Sequence, residues 1–146
     1  MSSMLLEATP VASSPRHIGS SAEDGVRLQV QSVLGNAAST GPPTERRSNQ
    51  RYPYPRLITL TPVAEDGITP DGQHIVVVGK HLSECGLDFY HEQPLPHRRM
   101  IASIETADGD WVAFLLNLTW CRFTKQGWYD NGGRFVRVVD SPLAGN

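Results

Sequence analysis

Residues 99 to 125 read Arg-Met-Ile-Ala-Ser-Ile-Glu-Thr-Ala-Asp-Gly-Asp-Trp-Val-Ala-Phe-Leu-Leu-Asn-Leu-Thr-Trp-Cys-Arg-Phe-Thr-Lys. Two runs of aliphatic, β-branched and aromatic residues flank Asp108-Gly109, a dipeptide that readily takes positive φ and so suits a tight hairpin. The spacing predicts strands over Arg99–Thr106 and Trp111–Lys125, the second long enough to be one bent strand or two. Outward from this hairpin the pattern repeats. Leu57–Val63, His74–His81 and Gly86–His91 read as strands upstream, and Arg134–Val139 closes the series after a turn expected at Asp130-Asn-Gly-Gly133. Between them lie turn-rich stretches, Ala64 to Gly72 and Gln93-Pro-Leu-Pro96, whose prolines cannot donate to a ladder. Six or seven short strands in about 95 residues leave open edges unless the sheet curls shut. The expected fold is therefore all-β, a small six- to seven-stranded antiparallel β-barrel with a flexible N-terminal tail.

The chain has 146 residues, 39% of them apolar, which is enough for one core and not for two. Residues 1–44 hold no aromatic side chain and are rich in Ser, Ala, Gly and Pro, too little apolar surface to offset the entropy of ordering. They are expected to be a flexible tail, with one exception. Ser20-Ser-Ala-Glu23 reads as a capping box, and Val26, Val30, Val33 and Leu34 recur at helical spacing before Gly35, which predicts a short helix over 22–34. The barrel is expected over 45–140 and a short C-terminal tail over 141–146.

A net charge of −2 excludes broad electrostatic binding to nucleic acid or an anionic membrane, so any anion site is local. No apolar run is long enough to span a bilayer and the N-terminus lacks a basic start, which points to a cytoplasmic protein without membrane insertion. Two cysteines, Cys85 and Cys121, suggest no disulfide framework. His81, Cys85, His91 and His97 lack the paired, tight spacing of a zinc site, and no nucleophile-elbow pattern is present, so neither a metal nor an enzyme is expected. Trp111, Phe114, Trp120 and Phe123 read as core residues rather than a base-stacking platform.

The densest cationic cluster, Glu45-Arg-Arg-Ser-Asn-Gln-Arg51, stands where the tail meets the first strand. Arg47 and Arg51 are spaced so that a turn can aim both guanidinium forks at one ligand, gripping a phosphate or a guanine edge with paired hydrogen bonds. Tyr52-Pro-Tyr-Pro55 then forces an extended backbone. By itself the cluster is equally a solvated basic linker. A second feature, His81-Leu-Ser-Glu-Cys-Gly86, ends a strand in a turn that brings Ser83 and a bare glycine together. Alone it is an ordinary corner.

Together, in order and spacing, the two features resemble the PilZ-domain family. That family carries RxxxR in an N-terminal loop and, some 20 to 30 residues later, Asp or Asn followed by xSxxG. Here Arg47 and Arg51 supply the first motif, residues 52–80 intervene, and Ser83 and Gly86 supply the second. The similarity spans about residues 45–140, including Gly127-Trp-Tyr-Asp-Asn-Gly-Gly-Arg-Phe-Val-Arg137 as closing strands. It implies a six-stranded barrel that folds its arginine loop over the bacterial second messenger cyclic di-GMP and signals to a protein partner. The implied ligand contacts are Arg47 and Arg51 as a clamp, His81, Ser83 and Gly86 on the barrel side, and Arg46 as the mark of a stacked ligand pair. His81 departs from the family's Asp or Asn, offering one acceptor nitrogen and only when neutral. That departure leaves open an interaction module without ligand binding, and a small oligonucleotide-binding barrel is a third reading.

Overall fold

A computed structural model describes residues 16–35 and 50–144. Helix α1 (Arg16–Leu34) precedes seven strands: β1 (Tyr52–Pro53), β2 (Leu57–Pro62), β3 (Ile75–Leu82), β4 (Gly86–His91), β5 (Arg99–Glu105), β6 (Trp111–Phe123) and β7 (Tyr129–Val139). The strands that bury one face alternate apolar and polar residues, whereas β5 and β6 read as continuous apolar runs. In β4, for example, Leu87 and Phe89 enter the core while Asp88 takes the opposite face. Around the wall the order is β3-β2-β5-β6-β7-β4, every neighbouring pair antiparallel, and β4 pairs back onto β3. This is a closed six-stranded barrel with β1 as an added strand on the end of β3. Closure gives the strand edges partners, the physical reason a barrel was expected over an open sheet.

The interior is filled by Ile58, Leu60, Phe89, Met100, Ile104, Phe114 and Leu116, with Phe114 stacked on Phe135 at 4.3 Å between ring centres. Ile101, Ala113 and Leu115 form a second buried cluster under Val63 and Val139, so β5 and β6 are covered on both faces. Ser141 Oγ lies 2.8 Å from Ser103 Oγ and pins the start of the C-terminal turn against the barrel.

Helix α1 lies against β7, burying Val26 and Val30 in the main core. It begins at Arg16, earlier than the expected start near residue 22, so the Ser20–Glu23 signal falls inside the helix instead of capping it. Once Val26 and Val30 dock, extension toward the N-terminus adds a hydrogen bond per residue fixed and needs no new nucleus. The helix ends as read, with Gly35 at φ 61° and its N–H donating to the Gln31 carbonyl at 2.9 Å.

One strand expectation is resolved and another changes. Trp111–Phe123 is one strand, bent by irregularities between Leu115 and Leu116 and between Leu118 and Trp120. The last reversal is at Thr124–Gly127, where the Thr124 N–H donates to Trp128 O at 2.8 Å and Gly127 sits at φ 90°. Asp130-Asn-Gly-Gly133, expected as that turn, lies inside β7. Its glycines serve close packing: a Cβ on Gly133 would stand 2.8 Å from the Asn117 carbonyl, and one on Gly132 would overlap the Trp120 indole. The tail expected on either side of α1, and Arg46 and Arg47, lie outside the described residues.

Candidate functional site

Strand β3 gives way to β4 through the corner Ser83-Glu84-Cys85. The Ser83 N–H donates to Gly86 O at 2.9 Å, and Ser83 Oγ accepts the N–H groups of Cys85 and Gly86, each at 3.1 Å. The buried hydroxyl is thereby committed to holding the corner, its own proton directed at Gly86 O at 3.4 Å. Gly86 is bare because a Cβ would overlap the Gly133 carbonyl on β7. Glu84, between them, faces the helix: Arg27 Nε donates to its Oε1 at 3.1 Å and Gln31 Nε2 to its Oε2 at 2.9 Å.

Just before the corner, β3 carries a bulge. Gly79 pairs with Phe89 and His81 with Asp88, leaving Lys80 as the extra residue. The bulge restores His81 to the outer wall beside Asp88. Continuing around the barrel, Asp88 pairs with Gly132 and Gly132 with Trp120, so His81, Asp88, Gly132 and Trp120 make one cross-strand row. The indole of Trp120 lies against the bare α-carbon of Gly132. Two residues further along β4, β7 and β6, on the same face, lie Tyr90, Asp130 and Arg122. Lys80 Nζ bonds Asp130 Oδ2 at 3.0 Å and rests over the Tyr90 ring, with Arg122 Nη2 3.7 Å from the same carboxylate. The hydrogen bond to Asp130 raises the Lys80 pKa above its ordinary 10.5.

Strand β1 delivers the remaining cation. Tyr52 pairs with Leu82 and Pro53 with His81, while the Tyr54 N–H donates to Lys80 O at 2.9 Å and the Gly79 N–H to Arg56 O at 2.8 Å. Gly79 permits this crossing, since a Cβ there would overlap the Tyr54 carbonyl. Tyr54 is buried in the crossing, and that burial raises its pKa. Arg51, one residue ahead of β1, therefore reaches the wall: its Nη1 lies 3.1 Å from Asp88 Oδ2.

Arg51, His81, Ser83, Gly86, Asp88 and Trp120, with Arg134 at the rim, enclose an open cleft of about 300 Å³. Of the residues singled out in the sequence, Arg51, His81, Ser83 and Gly86 thus meet in one place. Asp88, Trp120 and Arg134 were missed. Asp88 was legible as the outward position between Leu87 and Phe89. Trp120, which reads as core from the sequence, is partly exposed in the cleft wall, and Phe123 is exposed as well. The irregularity before Trp120 resets which face its side chain takes, and no sequence pattern announced it.

The cleft is electrostatically unfinished. Asp88 is nine-tenths buried, yet its Oδ2 accepts no hydrogen bond. Arg51 approaches at ion-pair distance off the hydrogen-bond line, and His81 Nδ1, also buried without a bond, stands 3.5 Å away. A buried acceptor left so costs about 1–3 kcal/mol. The Arg51 side chain is 62% exposed, and an ion pair with so exposed a partner contributes at most about 1 kcal/mol, so Arg51 is free to exchange partners.

No family model and no curated protein matches the chain. Among solved structures, K. pneumonia MrkH in its apo state superposes with a TM-score of 0.43 at 12% identity, over 62% of this chain and 43% of that one. The chain thus spans less than half of that protein's length. Among the described residues, no helix is long and apolar enough to cross a membrane, and no three His, Cys, Asp or Glu side chains are grouped to hold a metal ion.

Proposed function

We propose that the chain is a non-catalytic, cytoplasmic receptor for cyclic di-GMP that signals to a protein partner. The observation that carries this is the pairing of β1 with the end of β3, which sets Arg51 over the same cleft as the Ser83–Gly86 corner. Arg51 and Arg47 close on the ligand, the corner offers a rigid wall, and Trp120 presents a ring edge or face to a base. Ser83 acts through the corner it holds. Ligand entry exchanges the weak Arg51–Asp88 pair for charge-assisted bonds to phosphate or to guanine O6 and N7.

Titration calorimetry of the purified protein tests it. Heat with saturation is expected, and silence up to about 100 µM ligand, a binding free energy weaker than about −5.5 kcal/mol, would end the proposal. Arg47→Ala and Arg51→Ala are expected to abolish binding, the Arg51 change with little shift in melting temperature because its side chain is 62% exposed.

One observation favours a second reading, a barrel of this type that works by protein contact alone. His81 and the committed Ser83 hydroxyl leave the corner with few groups to offer a ligand. If the natural protein is silent in the titration while His81→Asp binds, this second reading holds.

A further inference from the structure

The cleft holds a carboxylate that the reading above does not use. Asp88 stands on the outer wall in the His81–Asp88–Gly132–Trp120 row and lines the cleft, its side chain 10% exposed and its Oδ2 shielded from solvent, with Arg51 and His81 against it and no hydrogen bond made. The groups within reach of Oδ2, Arg51 at 3.1 Å and His81 at 3.5 Å, are both poorly aligned to bond it. A buried carboxylate in this condition selects for donors. Phosphate is excluded from it by charge, and adenine would set a lone pair, its N1, against the oxygens. Guanine alone among the common bases presents two parallel donors, N1–H and the exocyclic N2–H, at the spacing of a carboxylate's two oxygens.

Resting on the cyclic di-GMP reading, we infer that Asp88 is the specificity-determining residue of the cleft, accepting the N1–H and N2–H donors of one guanine. The base lies along the row with Trp120 beside it, and its donors satisfy the orphaned Oδ2. Its opposite edge, O6 and N7, is then left to a guanidinium, for which Arg51 becomes available once it turns from Asp88. The carboxylate absent from position 81 is thereby supplied by the residue paired with it across the sheet. His81 Nδ1 stands 3.5 Å from the same carboxylate without bonding it, and so leaves its lone pairs to the base.

The test compares cyclic di-GMP with cyclic di-IMP, whose hypoxanthine bases lack only the N2 amino group, on the natural protein, Asp88→Ala and Asp88→Asn. The natural protein is expected to prefer cyclic di-GMP by about tenfold or more, the worth of one hydrogen bond to a charged acceptor. In Asp88→Ala and in Asp88→Asn, which keeps the shape and fold, cyclic di-GMP is expected to weaken by about ten- to a hundredfold and the preference to vanish. A residue that merely positioned Arg51 would lower both ligands alike and leave the ratio intact, which overturns the inference. So would tighter binding in Asp88→Ala, the mark of a carboxylate that only repels phosphate. If the natural protein binds neither ligand, the receptor proposal itself falls and this assignment with it, a result distinct from binding without discrimination.

Discussion

Gly86 shows how a residue in a ligand-type motif can be required for a different reason. A methyl group at its α-carbon on β4 would overlap the Gly133 carbonyl on β7, which cannot swing away as a side chain can. Gly86→Ala is expected to lower the unfolding free energy by about 1–3 kcal/mol, read as a fall in the urea midpoint at unchanged slope. Gly132 is the contrast. The obstacle to a methyl there is the Trp120 ring, so Gly132→Ala is expected to leave the fold intact and push the indole outward, visible as a red shift in tryptophan emission. The sequence marked Ser83, Gly86 and Arg51 because each sits in a local pattern of turn residues or clustered charge. Asp88 could be read as outward-facing, but that it and Trp120 meet in one cleft follows from their pairing with Gly132, which no local pattern encodes.

At the level of elements, the strands were legible and the joints were not. Period-two alternation marked the strands that bury one face, and continuous apolar runs marked β5 and β6, which are covered on both. The last hairpin misled because Asn131-Gly132-Gly133 has turn chemistry, whereas those glycines are needed where strands and a ring approach too closely for a Cβ. The helix was seen but placed short, since docking on β7, a tertiary effect, set its length. That docking rests on apolar contact more than on charge. Val30 is fully buried, and Val30→Ala is expected to cost roughly 1–3 kcal/mol and to raise the hydrogen-exchange rates of α1 amides. Glu84→Gln keeps the bond from Gln31 and weakens only a pair whose Arg27 partner is 41% exposed, so its effect is expected to stay below about 1 kcal/mol.

For the molecule as a whole, closure of the barrel was foreseeable from edge arithmetic alone, but which strands meet at the seam was not. The seam is β3 against β4, and beside it Lys80 ties β3 to Asp130 on β7. Folding raises the Lys80 pKa above 10.5, so the folded state holds that proton more tightly than the unfolded chain. The contribution is therefore complete below about pH 10.5 and is lost as pH climbs through the folded value. Denaturant midpoints measured from pH 8 to 12 are expected to fall more steeply in the natural protein than in Lys80→Met. The direction is the check, since a flatter natural profile would mean the contact carries no such linkage.

Strand β1 has β3 on one side and, among the described residues, no strand on the other. A bare strand flank is a template on which foreign chains assemble, yet this one is two residues long and one of them is Pro53, with Pro55 close behind. Proline offers no N–H to recruit an incoming backbone, so the flank is a poor template for self-association. The sheet is thereby blunted against growth beside Arg51, the residue that the receptor proposal requires to turn toward a ligand.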